Sequence, residues 1–166
     1  MSKKPILLLG NEILYARSVE IKESEIAIAE KVINDLHDTI VDFKNRHGFG
    51  RAIAAPQIGE LVRIIYFHFG DKAYHFINPI IEFVDDEKFK MWDDCFSFPG
   101  VEVYVERYRR CKVRYKNLKW EDCELYFDDE LSELFQHEYD HLDGILAVQR
   151  AIDLKSFRIN IDKNEK

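Results

Sequence analysis

Between residues 24 and 47, apolar side chains recur at intervals of three and four: Ile26, Ala29, Ile33, Leu36, Ile40 and Phe43. That spacing is one face of an α-helix, so it predicts an N-terminal amphipathic helix, opened at Ser24-Glu25 and stopped by Gly48. Its role is structural, with one buried and one solvated face. The pattern then changes. Residues 61–69 and 73–83 are rich in β-branched and aromatic types and flank Gly70-Asp71, a hairpin signal. Asn78-Pro79 punctuates the second of these strands and predicts an edge or a bend. Shorter alternating runs at 101–105, 111–115 and 124–127 predict further strands. Residues 85–88 read as a solvated loop. From about Asp129, capped by Asp128 or Asp129, Leu131, Leu134 and Phe135 make a stripe at helical spacing, ending near Asp143-Gly144. The order of helix, antiparallel strands and helix makes an α+β fold, its strands packed around the second helix.

A chain of 166 residues reads most simply as one domain, residues 1–166, with a core over 6–150 and a frayed tail over 155–166. Its 46% apolar and 33% charged content is ordinary for a soluble globular protein. A net charge of −7 with no basic stripe argues against direct DNA binding. Apolar runs such as 6–9 and 64–67 are too short to span a membrane, and no secretory leader is expected. Three cysteines at no paired spacing suit a reducing compartment with a thiol available as a ligand.

The second helix carries the chemistry. Within Gln136-His137-Glu138-Tyr139-Asp140-His141, two histidines four apart share a helical face, so both imidazoles can reach one metal ion. Glu138, offset by one residue, is placed to handle the proton of a bound water, as metal-assisted hydrolysis requires. The bland alternative, a surface helix with two ordinary histidines, conflicts with the inward stripe. A catalytic site of this kind takes three protein ligands plus water. The downstream options fail: the position three beyond Gly144 is Ala147, and the one later glutamate is Glu165. The third ligand therefore lies upstream. Cys95, a soft donor just before Pro99-Gly100, is the best candidate, although such a cysteine taken alone is more often a buried small residue. Residues 51–59, a run of small side chains ending near Gln57, read on composition as a tight loop or strand against the first helix. Arg107 to Arg110 is a small basic cluster, either a solvated strand end or a carboxylate partner.

Three ordered motifs resemble those of the peptide deformylase family. Gly50-Arg51-Ala52-Ile53-Ala54-Ala55-Pro56-Gln57 is similar to the first, Asp93-Asp94-Cys95-Phe96-Ser97 to the second, and His137-Glu138-Tyr139-Asp140-His141 reproduces the third. Residues 6–14, Ile77-Asn78-Pro79 and Arg107 also resemble the family. The resemblance implies that Cys95, His137 and His141 hold one divalent metal, natively Fe2+, with Zn2+, Ni2+ or Co2+ accepted. It implies hydroxide attack, at a water pKa lowered towards about 7, on the formyl carbon of an N-formylmethionyl nascent chain. Gln57 and the backbone N–H of Phe96 would stabilise the oxyanion, at about 3 kcal/mol per donor. Glu138 would move the proton to the leaving amine as formate departs.

Departures from the motifs concern substrate fit. Ala52 stands where the family has glycine, beside the substrate path with Gly50, and Asp94 replaces the glycine before the cysteine. Asp93 stands for glutamate and can still pair with Arg107. Glu133 lies four before His137 and shares its face. Turned inward, paired with Arg51, it would shift preference away from a first methionine; on the surface it would do nothing. These departures keep a second reading open: a divergent homologue with altered substrate preference or a non-catalytic metal-binding role. A metallopeptidase of another kind would not depend on Cys95, and a purely structural metal site would leave Glu138 without purpose. The implied partner is an N-formylated peptide, with ribosome contact left to Lys155, Arg158 and Lys163. The implied location is the cytoplasm or an organelle of bacterial type.

Overall fold

Two α-helices, four short 3-10 helices and eight strands make up the computed structural model, which describes residues 2–161. Helix α1 spans Ile26–His47, and Ala29, Ile33, Leu36, Ile40 and Phe43 are buried as the periodicity predicts. Gly48 closes it with φ of 78°, in the left-handed region glycine enters without penalty. The strands are β1 (Ala52–Ala54), β2 (Ile64–Phe69), β3 (Lys72–Phe83), β4 (Lys88–Asp94), β5 (Val101–Tyr108), β6 (Arg110–Lys116), β7 (Asp122–Asp128) and β8 (Phe157–Ile159). They form two antiparallel sheets, ordered β1-β2-β3-β6-β7 and β4-β5-β8. Helix α2 (Asp129–Leu142) packs against strands of both sheets, and α1 covers β1 and β2.

The β2–β3 hairpin turns at Gly70-Asp71 with Phe69 opposite Lys72, as expected. Asn78-Pro79 lies in a central strand rather than at an edge, and the pairing shifts between Ile77 and Ile80. Asn78 adopts φ of 48°, and its amide exchanges two hydrogen bonds with the backbone of Ile21, at 2.9 and 2.7 Å. The bulge thus absorbs the N–H that Pro79 lacks.

Four expectations need correction. Lys88, read as loop, begins β4, whose alternation is built largely from charged residues paired to β5. Leu131 is 40% exposed and outside the buried stripe, whereas Leu134 and Phe135 are buried. Asp128 sits at the N-cap of α2 without a side-chain hydrogen bond to the helix; Asp129 instead meets Arg109. The tail expected to fray contributes β8, with Val101, Glu102 and Val103 opposite Ile159, Arg158 and Phe157. The rest of that tail from residue 162, with Lys163 and Glu165, lies outside the described residues.

The N-terminal segment ties the pieces together. Leu7 N–H donates to Gln57 O at 2.8 Å and Leu9 N–H to Ser97 O at 2.7 Å, so residues 6–9 cross two of the motif segments. Gly144, just past α2, approaches Tyr15 so closely that a Cβ there would meet the Tyr15 carbonyl oxygen at 2.4 Å. Only glycine permits that contact.

Candidate metal centre and active site

One turn apart on α2, His137 and His141 are 4% and 1% exposed, their ring centroids 5.1 Å apart. Cys95 leaves the end of β4 and brings its Sγ to 3.3 Å from His141 Nε2. One donor atom from each of the three residues lies within 4.8 Å of the others. A sulfur and two imidazole nitrogens so disposed can share one ion at ordinary ligand distances of about 2.0–2.3 Å. Soft sulfur with imidazole suits a divalent transition metal.

The surroundings orient this set. Asp93 Oδ2 stands 2.8 Å from His137 Nδ1 and 3.1 Å from Arg107 Nη2. Its pKa is lowered to about 2: burial opposes ionisation, and the charges and hydrogen bonds of His137 and Arg107 overcome it. An ionised carboxylate only accepts, so His137 donates from Nδ1 and leaves Nε2 for the centre. Arg107, 5% exposed, also donates to Asp140 Oδ2 at 2.6 Å, and Arg150 closes on Asp140 at 2.8 Å. The basic cluster is therefore not a solvated strand end at Arg107; that residue ties β5 to α2 through two carboxylates.

Gln57 is 1% exposed at the end of the small-residue run. Its Oε1 accepts from Ala54 N–H at 2.9 Å, which directs Nε2 at Ser97 Oγ (3.2 Å) and Cys95 Sγ (3.5 Å). The run is both things the sequence offered, a strand against α1 and a wall of the site. Gly50 has φ of 130°, and a Cβ there would lie 2.8 Å from the Phe96 ring. Phe96 in turn packs on Phe43, ring centroids 4.2 Å apart.

Glu138 is 4% exposed, and its Oε2 has no hydrogen-bond partner, like Nδ1 of His141. Burial pushes the Glu138 carboxyl up to about 7, against the favourable charge of His137. Glu133 faces inward at 8% exposure, and burial reinforced by the Asp93 charge raises its carboxyl to about 7. Its expected partner is elsewhere: Arg51 pairs with Glu130 at 3.6 Å. Gln57, Asp93, Cys95, Phe96, Glu133, His137 and Glu138 border one cleft of about 740 Å³, with Ala52 in its wall and the exposed Asp94 among its lining residues.

A sequence profile of the polypeptide deformylase family matches residues 3–157. The chain belongs to the peptide deformylase family. A peptide deformylase of Leptospira biflexa is 33% identical, covering 98% of this chain and 95% of its own. Peptide deformylase 2 of Clostridium perfringens is 34% identical, at 93% and 96% coverage. The crystal structure of peptide deformylase from Thermotoga maritima superposes with a TM-score of 0.82 at 30% identity, over 92% of this chain and 100% of that one. A Met-Ala-Ser-bound class I type b peptide deformylase from Acinetobacter baumannii gives 0.81 at 28% identity, over 90% and 99%.

In this deformylase fold, the motif residues Gln57, Cys95, His137 and Glu138 converge at the cleft floor, with His141 directly behind Cys95. Ala52, Asp94 and Glu133 border the same cleft, and Gly50 and the Phe96 ring form one contact in its wall. Ser97 is fully buried between Gln57 and Cys95, and its one signal in the sequence is a polar residue two beyond a candidate ligand. Glu102 and Asn160 also line the cleft and hydrogen-bond at 3.0 Å, a contact between β5 and the tail that no local pattern announces.

Proposed function

We propose that this chain acts as a metal-dependent deformylase, hydrolysing the formamide C–N bond at the N-terminus of nascent polypeptides and releasing formate. The carrying observation is the orphaned Glu138 carboxyl beside three converging metal donors and the Gln57 amide, at the floor of one cleft. The donor set fits a divalent ion held by Cys95 Sγ and the Nε2 atoms of His137 and His141. Bound there, such an ion supplies Lewis acidity and lowers the pKa of a water to near neutrality.

The protein's own groups do the rest. Asp93, braced by Arg107, keeps His137 in the required tautomer. Glu138 accepts a proton from the attacking water and returns it to the departing amine, a task suited by a carboxyl near 7. The Gln57 Nε2–H and the Phe96 backbone N–H donate to the formyl oxygen as it gains charge. The C–N bond then breaks, giving formate and a free amine. Ferrous iron is the ion we assign as native, with zinc, nickel and cobalt as substitutes. The Met-Ala-Ser ligand of the Acinetobacter relative supports a peptide in this cleft. A formylated nascent chain puts the enzyme where translation runs, in the cytoplasm or an organelle of bacterial type. A ribosome contact through the tail gains little support, because Arg158 is engaged by Glu102 at 2.5 Å.

Anaerobically purified, iron-loaded protein should release formate from formyl-Met-Ala-Ser, and Glu138→Ala should not. A bound metal with no formate from any formylated peptide would leave a binding role instead.

A further inference from the structure

Glu133 is a buried carboxyl at the cleft whose chemistry the proposed reaction does not use. Its side chain is nine-tenths buried, and one carboxylate oxygen lies within 4.8 Å of both a His137 nitrogen and an Asp93 oxygen. Among the described residues no hydrogen bond or ion pair reaches it. The two nearby guanidinium groups are engaged elsewhere: Arg51 with Glu130 at 3.6 Å, and Arg107 with Asp93 and Asp140. The cleft it borders carries apolar side chains, Phe43, Phe49, Phe96 and Leu134 among them, beside charged ones such as Lys44 and Arg51. The Glu133 oxygens reach the open cleft, so a ligand that displaces solvent there leaves the carboxyl costly to bury unless it brings a donor.

The formyl carbon has to reach the cleft floor beside His137. The Cα of the first residue is two bonds further, so its side chain falls within reach of Glu133. A thioether there would exclude water from the carboxyl without giving it a hydrogen bond. A primary amide or ammonium of similar length would satisfy it. Sites built around a buried polar group discriminate strongly against ligands that leave it unpaired.

We infer that Glu133 is a specificity-determining residue that selects formylated peptides whose first side chain donates a hydrogen bond, glutamine or lysine, over methionine. This rests on the deformylase reading and names its substrate class. Glutamine is the sharper probe, since its stem matches methionine in length and differs at the donor.

Two measurements on the metal-loaded protein test it. In the first, kcat/KM is compared for formyl-Gln-Ala-Ser, formyl-Lys-Ala-Ser and formyl-Met-Ala-Ser. Wild type should favour the donor-bearing peptides by about tenfold or more, and Glu133→Leu should reverse the order. Glu133→Gln, which keeps an acceptor and guards against a folding defect, should retain part of the preference. In the second, calorimetry compares Gln-Ala-Ser with Met-Ala-Ser, needing no turnover, and wild type should bind the former more tightly. A methionine preference in both wild type and Glu133→Leu overturns the inference and leaves the deformylase reading intact. Tighter Gln-Ala-Ser binding lost in Glu133→Leu, without formate from any peptide, upholds the selectivity and sinks the reading.

Discussion

The floor of the cleft and its wall are built on opposite principles. Behind the floor, His137, Asp93, Arg107, Asp140 and Arg150 form an unbroken chain of charge-assisted hydrogen bonds, each group held by the next. On the wall, Glu133 is as buried as Gln136 or Asp140, yet its carboxyl has no comparable hold. The floor departs from its family's motif only by one carboxylate for another, Asp93 for glutamate, whereas Ala52 and Asp94 change the residue type at the cleft's lining. A group locked on every side can serve only one geometry, which suits chemistry. A group left for something else to satisfy suits selection.

Breaking the floor should have the largest effects. Glu138→Ala should lower kcat/KM for formylated peptides by about 10²–10⁴-fold with metal content unchanged, read by formate release beside metal analysis. An active variant would remove Glu138 as the base. Next comes Arg107→Met, which leaves Asp93 and Asp140 without their shared cation. Denaturant unfolding should show a loss of about 3–5 kcal/mol, and a loss below 1 kcal/mol would mean the network is dispensable. Asp93→Asn should fold but hold its metal about 10–100-fold more weakly, measured by chelator competition, because a neutral amide oxygen replaces the charged acceptor that orients His137.

Sharpening the wall gives the smallest effect. In the metal-free protein the Glu133 carboxyl sits near 7, against about 4.5 for its ordinary value. The fold therefore holds a proton that the unfolded chain releases across that window. The resulting penalty is absent below about 4.5, grows as pH rises, and is complete above about 7. Thermal unfolding should show wild type losing stability relative to Glu133→Gln between pH 5 and about 7.5. Parallel pH profiles for the two proteins would place Glu133 in solvent.

Much of this was legible from residue order, and the gaps have a common cause. The face of α1, the Gly70-Asp71 hairpin and the shared face of His137 and His141 are local, set by intervals of three, four or two along one segment. What local pattern missed was partnered by distant chain. Lys88 reads as the end of a charged loop until β5 lies beside it, and Phe157–Ile159 reads as a tail until the far edge of β5 accepts it. Arg107 looked equally suited to solvent until two carboxylates from β4 and α2 met it. Helical spacing put Glu133 on the face of His137, but the Arg51 offered to it as a partner lies instead beside Glu130.

The sequence by itself determined the donor types, their spacing on α2 and the family to which the chain belongs, because these depend on residue identity and helical period. Only the tertiary structure decided that Glu133 turns inward without a partner while Arg107 turns inward with two. Burial of a charge is settled by which distant groups arrive to compensate it, and no interval along the chain encodes that.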